Sequence, residues 1–148
     1  MNGQSQNTNT HFQHSLSTKA NPSVIWKIWT DVAEWPRWDQ GLKAASMKGP
    51  FQLGAKGRLV PDKGPKSRFK ITQFEEGRSY TMRTNLPLGS LEIHRYLKQK
   101  DGQWYFTHEV RFRGLLKNWF GKKFGERYRK LLPEVMQSIE EIAESHRS

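Results

Sequence analysis

Between His11 and Lys19 the chain alternates, with Phe12, His14, Leu16 and Thr18 on one side, which is the period of a half-buried strand. A pair of short helices follows. Asn21 is a good N-cap, and Pro22 suits the first helical position because no intrahelical N–H is needed there. Asp31 followed three residues later by Glu34 reads as a second cap, and Pro36 closes the second helix. Short extended segments then recur at about 42–50, 55–61, 66–75, 78–86, 89–99 and 103–113. Their separators are turn formers: Gly49 and Pro50, Asp62 to Pro65, Glu75 to Gly77, and Pro87 to Gly89. Lys100–Gly102 predicts a three-residue hairpin loop with Gly102 in the left-handed position. No helix-period segment interrupts this run, so the strands form an antiparallel sheet of sequential hairpins. From about Leu115 the period changes. Leu116, Trp119, Phe120, Phe124, Tyr128, Leu131, Leu132, Val135, Met136, Ile139 and Ile142 fall at helical spacing, with a kink expected near Pro133.

The pattern predicts an α+β protein: a seven-stranded curved antiparallel sheet around a long C-terminal helix, with two short helices after the first strand. The space between sheet and helix is either a filled core or a ligand cavity. Length supports one domain over residues 11–148, preceded by a polar, uncharged tail at 1–10 expected to be disordered. Four of the six tryptophans lie in the two short helices and their exit: Trp26, Trp29, Trp35 and Trp38. Such a pair is a poor surface feature and a good plug for the mouth of a sheet. Most of these rings are read as core anchors.

Composition removes several classes of chemistry. With no cysteine, disulfides, thiol catalysis and cysteine-based metal sites are excluded. No signal peptide is recognised and no apolar run reaches the roughly 18–20 residues needed to span a bilayer, so a cytoplasmic location is expected. The net charge of +11 is favoured as a solubility trait. Its densest window holds Lys117, Lys122, Lys123, Arg127, Arg129 and Lys130, which also suits an anionic membrane surface; nucleic acid is disfavoured. The interleaved aromatics Trp119, Phe120, Phe124 and Tyr128 are read as the buried stripe of the helix rather than as an inserting face.

Ile25 and Trp26, Asp31 and Val32, Trp35 to Asp39, Gly49 to Phe51 with Gly54 and Gly57, Thr107 to Gly114, and Leu132 with Pro133 together carry a resemblance. The chain resembles the SRPBCC superfamily, the START-like or birch-pollen-allergen-like helix-grip fold, and within it the polyketide cyclase/dehydrase and lipid-transport-like group. The resemblance covers residues 11–145 and implies a cavity between sheet and helix, with the short helices near one opening. Its members include carriers and enzymes, so fold does not settle activity.

Candidate chemistry follows from strand register. If Lys100–Gly102 is the loop, Gln99 pairs with Gln103, Tyr96 faces Phe106, His94 faces His108 and Glu92 faces Val110. This places Glu92, His94 and Tyr96 inside, although Leu91, Ile93 and Leu97 make the opposite face apolar as well. A one-residue slip would separate the two histidines. His94, His108 and Glu92 are the candidate catalytic residues, histidine being suited to acid/base work near neutrality. The expected ligand wall is Trp38, Phe69, Met82, His94, Tyr96, Phe106, His108, Phe112, Tyr128 and Met136. No cofactor and no metal are expected. The favoured reading is non-catalytic binding of a small hydrophobic ligand, lipid-like or aromatic. The alternatives are a cyclase/dehydratase-type enzyme using His94 or His108 as acid/base, and an interaction module acting through the basic helix.

Overall fold

The structure, a computed structural model, describes residues 7–145. It contains β1 (His11–Thr18), α1 (Pro22–Thr30), a 3₁₀ helix (Val32–Arg37), β2 (Leu42–Lys48), β3 (Lys56–Pro61), β4 (Ser67–Glu75), β5 (Ser79–Leu86), β6 (Gly89–Lys100) and β7 (Gln103–Gly114). The C-terminal helix starts as α2 (Lys117–Phe120), passes through a π-helical turn (Gly121–Gly125) and continues as α3 (Glu126–Ser145). All strand pairings are antiparallel, in the order β1-β7-β6-β5-β4-β3-β2. The expected helix-grip architecture is therefore present.

Local chemistry accounts for the helix boundaries. Asn21 accepts the Ser23 backbone N–H at 2.9 Å, and Pro22 opens α1. Asp31 ends α1 and starts the 3₁₀ helix through its backbone, its side chain making no capping bond. Pro133 sits inside α3 without interrupting it; the break falls on the glycines instead. Gly121 and Gly125 leave room for the backbone of Asn9, which a Cβ at either position would overlap. Arg129 donates to Asn9 Oδ1 at 3.1 Å, and Asn7 exchanges two hydrogen bonds with the backbone of Gln13. Of the tail expected to be disordered, residues 7–10 are thus docked on β1 and the C-terminal helix, while residues 1–6 lie outside the described residues.

The core fills the concave side of the sheet. Phe12, Phe69, Ile71, Tyr80, Met82, Phe106, Val110 and Phe112 point inward from the strands. Leu132, Val135, Met136, Ile139 and Ala143 meet them from α3, and Ile25, Trp29, Trp35 and Trp38 from the short-helix segment. Gly57 on β3 lies directly under the Phe69 ring, which stacks on Trp35 at 5.4 Å. A Gly57→Ala Cβ would overlap both that ring and the Ser46 carbonyl. Overpacking of this kind costs about 1–3 kcal/mol, so Gly57→Ala should lower the urea midpoint accordingly with an unchanged m-value.

Candidate functional site

The β6–β7 hairpin decides which side chains enter the interior. Its loop is two residues, not three: Asp101 and Gly102 both have positive φ (52° and 77°), and Lys100 pairs with Gln103. Two left-handed residues match the twist of a tight hairpin, and Asp-Gly is a preferred pair for it. The expected register is therefore off by one. His94 lies opposite Glu109 and Tyr96 opposite Thr107, while Arg95 lies opposite His108.

Because side chains alternate, that single step turns β6 over. Glu92, His94 and Tyr96 stand on the outer face, and Ile93, Arg95 and Leu97 point inward. The proposed pairing of His94 with His108 is corrected: they occupy opposite sides of the sheet. His94 Nδ1 meets the Thr81 hydroxyl at 2.8 Å and the Tyr80 carbonyl at 3.2 Å. It lines a shallow outer depression of about 250 Å³ with Thr81, Glu92, Glu109, Arg111 and Arg113. Glu92 is ion-paired to Arg113 there. The histidine that does face His108 is His14, across the β1–β7 pairing.

Phe69, Met82, Phe106, His108, Phe112, Met136 and Trp38 are all buried inside, and Tyr128 is half-buried, 6.0 Å from the Phe12 ring. The residue that sequence reading missed is Arg95. It is 2% exposed, and its guanidinium lies 5.1 Å from the rings of both Trp35 and Trp38 and 5.7 Å from that of Tyr80. One terminal N–H group donates to the Tyr80 hydroxyl at 2.6 Å, and the Tyr128 hydroxyl lies near enough to interact electrostatically. Burial opposes the charge, but Tyr80, Tyr128 and Asp39 outweigh it and Arg95 stays protonated. Burial in turn pushes the hydroxyl pKa values of Tyr80 and Tyr128 upward, so both stay neutral.

His108 completes the compartment. Trp29 Nε1–H donates to its Nε2 at 3.0 Å, so the neutral ring carries its proton on Nδ1. Burial, then the Arg95 charge, then His14 hold its pKa well below the usual 6.5. Burial lowers that of His14 as well. Both rings are therefore uncharged near neutrality.

Three buried N–H groups in this compartment have no hydrogen-bond partner: Trp38 Nε1, Arg95 Nε and His108 Nδ1. Natural interiors satisfy nearly all such groups. The Trp38 ring is 6.2 Å from His108, and Trp38, though 2% exposed, is also one of the residues bordering an open groove of about 600 Å³. Val24, Ile28 and Ile142 supply apolar wall to that groove, with Lys27, Asp31, Glu34 and Arg37 around it. Trp38 is thus shared between the buried polar compartment and the surface. Among the described residues no cluster of His, Asp and Glu has metal-binding geometry.

Residues 9–140 match the profile of the family described as polyketide cyclase / dehydrase and lipid transport. The chain belongs to this family. No curated protein matches it by sequence. Among solved structures, a protein from Arthrobacter aurescens is 17% identical at a TM-score of 0.67, covering 93% of this chain and 87% of its own. Norcoclaurine synthase from Thalictrum flavum, solved with dopamine and hydroxybenzaldehyde, is 14% identical at 0.68, covering 94% and 88%. The Aha1 dimer of Colwellia psychrerythraea is 14% identical at 0.68, covering 94% and 99%. At such identities the likeness establishes the shared fold. In this member of the polyketide cyclase / dehydrase and lipid transport family the interior holds a buried arginine lined by aromatic rings.

The two depressed histidines carry a pH signature. Unfolded, each binds a proton below about pH 6.5; folded, each refuses it until a lower pH. Stability is therefore full above that value and declines as pH falls from about 6.5 toward the folded pKa. Urea midpoints should drop between about pH 7.5 and 5.5, and His108→Gln should flatten this slope whatever it does to the midpoint itself.

Proposed function

We propose that this protein binds a small hydrophobic ligand, reached through the groove between α1, the 3₁₀ helix and α3 and lodged against Trp38. The observation that carries this reading is the position of one residue: Trp38 borders the groove and its buried ring meets the Arg95 guanidinium. A groove of about 600 Å³ is in the range that holds small organic ligands, which such sites typically bind with apolar walls and few polar groups. Membership of a family described by cyclase, dehydrase and lipid-transport activity supports a ligand of lipid-like or aromatic character. An acid/base enzyme built on His94 together with His108 loses its geometric basis, since the strand separates them.

A titration of the ¹⁵N-labelled protein with aromatic and lipid-like compounds tests the reading. Binding should move the Trp38 indole signal and leave that of exposed Trp119 unchanged, and Trp38→Ala should weaken affinity about tenfold, as expected when an aromatic wall is removed. Compounds that bind without perturbing Trp38 would place the site elsewhere.

One observation favours a second activity, on an anionic membrane. Trp119 and Phe124, expected inside, are 53% and 46% exposed, and Leu115, four residues before Trp119, is 86% exposed and bonded through its N–H to the carbonyl of Leu88, itself 65% exposed. The π-turn accounts for this: one extra residue per turn rotates the helical pattern off its stripe, leaving only Phe120 of that segment's aromatics buried. Lys123 lies 4.8 Å from the Trp119 ring, with Lys117 and Lys122 exposed nearby in sequence. Of the expected basic cluster, Arg129 is tied to Asn9 and Lys130 to Glu126. Aromatic and aliphatic side chains ringed by lysine suit a headgroup surface, each basic residue contributing on the order of 1 kcal/mol. The protein should co-sediment with phosphatidylserine-containing vesicles at low salt, and a Trp119→Ser/Phe124→Ser double variant should not; retention by the variant would reject this surface.

A further inference from the structure

The buried compartment also specifies what kind of ligand it takes. Arg95 carries a permanent charge, yet among the described residues no carboxylate stands within ion-pair distance of it. The nearest acidic influence is Asp39, acting on it only at longer range. Asp39 already accepts the Gly41 N–H at 3.0 Å, and burial raises its own pKa. The Tyr80 hydroxyl, having accepted from Arg95, donates onward to the Trp29 carbonyl at 3.3 Å, so it brings no neutralising charge.

The three unpartnered groups around Arg95 all have one polarity. Arg95 Nε, Trp38 Nε1 and His108 Nδ1 are N–H donors on side chains only 1–2% exposed. His108 is a donor at Nδ1 because Trp29 occupies Nε2. An amine would meet like charge and more donors. An alcohol would accept one or two of these bonds but leave the guanidinium unneutralised. An acceptor-only anion satisfies the donors and the charge together, and arginine with a carboxylate is the strongest such combination.

We propose that the ligand is a small apolar carboxylic acid, its carboxylate received by Arg95, Trp38 and His108 and its apolar body lying past Trp38 toward Val24, Ile28 and Ile142. This rests on the ligand-binding reading above and narrows it. The aromatic faces of Trp35, Trp38 and Tyr80 hold the guanidinium in place before the acid arrives, so little ordering remains to be done on binding.

The test compares matched pairs on the intact, isotope-labelled wild-type protein at neutral pH: 2-naphthoic acid with 2-naphthalenemethanol, and decanoic acid with decan-1-ol. The acid of at least one pair should bind about tenfold or more tightly than its alcohol, moving the Arg95 Nε–H, Trp38 Nε1–H and His108 ring signals. Arg95→Met should bring acid and alcohol to equal affinity. An alcohol bound as tightly as its acid would overturn the carboxylate assignment while leaving ligand binding intact. An acid preference seen only at the exposed lysines, with Arg95 unmoved, would overturn it too. Failure of both members of both pairs to bind would reject the ligand-binding reading and this proposal together.

Discussion

A guanidinium taken out of water forfeits hydration worth several kcal/mol, and Arg95 sits inside this protein with no carboxylate in ion-pair contact and only Asp39 at longer range. The interior is arranged around that constraint. Trp35 and Trp38 present their faces to the charge, and Tyr80 and Tyr128 present their hydroxyls. Two of these groups, Trp35 and Tyr80, are themselves held by the end of α1. The Trp29 carbonyl, near the helix C-terminus where intrahelical partners run out, accepts both the Trp35 indole N–H at 3.0 Å and the Tyr80 hydroxyl. The Trp29 indole then fixes the tautomer of His108. One helix terminus thus orders the cation's aromatic box and the neutral histidine beside it.

Most of the architecture was legible in the residue pattern because it depends on strong, local signals. Strand alternation, turn residues and the switch to helical spacing after Gly114 place every element to within one or two residues. The interior of the site was not legible, and the reason is specific. Reading Lys100 as part of the loop moved the pairing by one position, which exchanged Glu92, His94 and Tyr96 for Ile93, Arg95 and Leu97 on the inner face. The Asp101–Gly102 dipeptide, flanked by residues able to pair, held the correct two-residue answer. An arginine between Ile93 and Leu97 breaks the apolar alternation of that face, and that was the available sign of an inward-facing charge.

The C-terminal helix shows a different limit. Helical spacing put Trp119 and Phe124 on the core stripe, but a π-turn across Gly121–Gly125 changes the phase. The glycines that permit it are shaped by long-range packing against Asn9, a contact no local pattern announces. Its consequence is an exposed aromatic and basic surface remote in sequence from the groove at Trp38. A carrier that collects an apolar acid near a membrane would use both surfaces, one to approach the lipid and one to hold the cargo.

The central claim is that Arg95 is kept for recognition and not for stability. Replacing a buried ion pair by apolar side chains of similar volume is often neutral or stabilising, by about 1–4 kcal/mol, and a buried charge with no ion-pair partner contributes still less to folding. Equilibrium urea unfolding of Arg95→Met against the wild type measures this directly. The account predicts a variant at least as stable as the wild type, with the same cooperativity. A loss of about 3 kcal/mol or more would contradict it, by showing that the guanidinium is a structural tie whose partners depend on it.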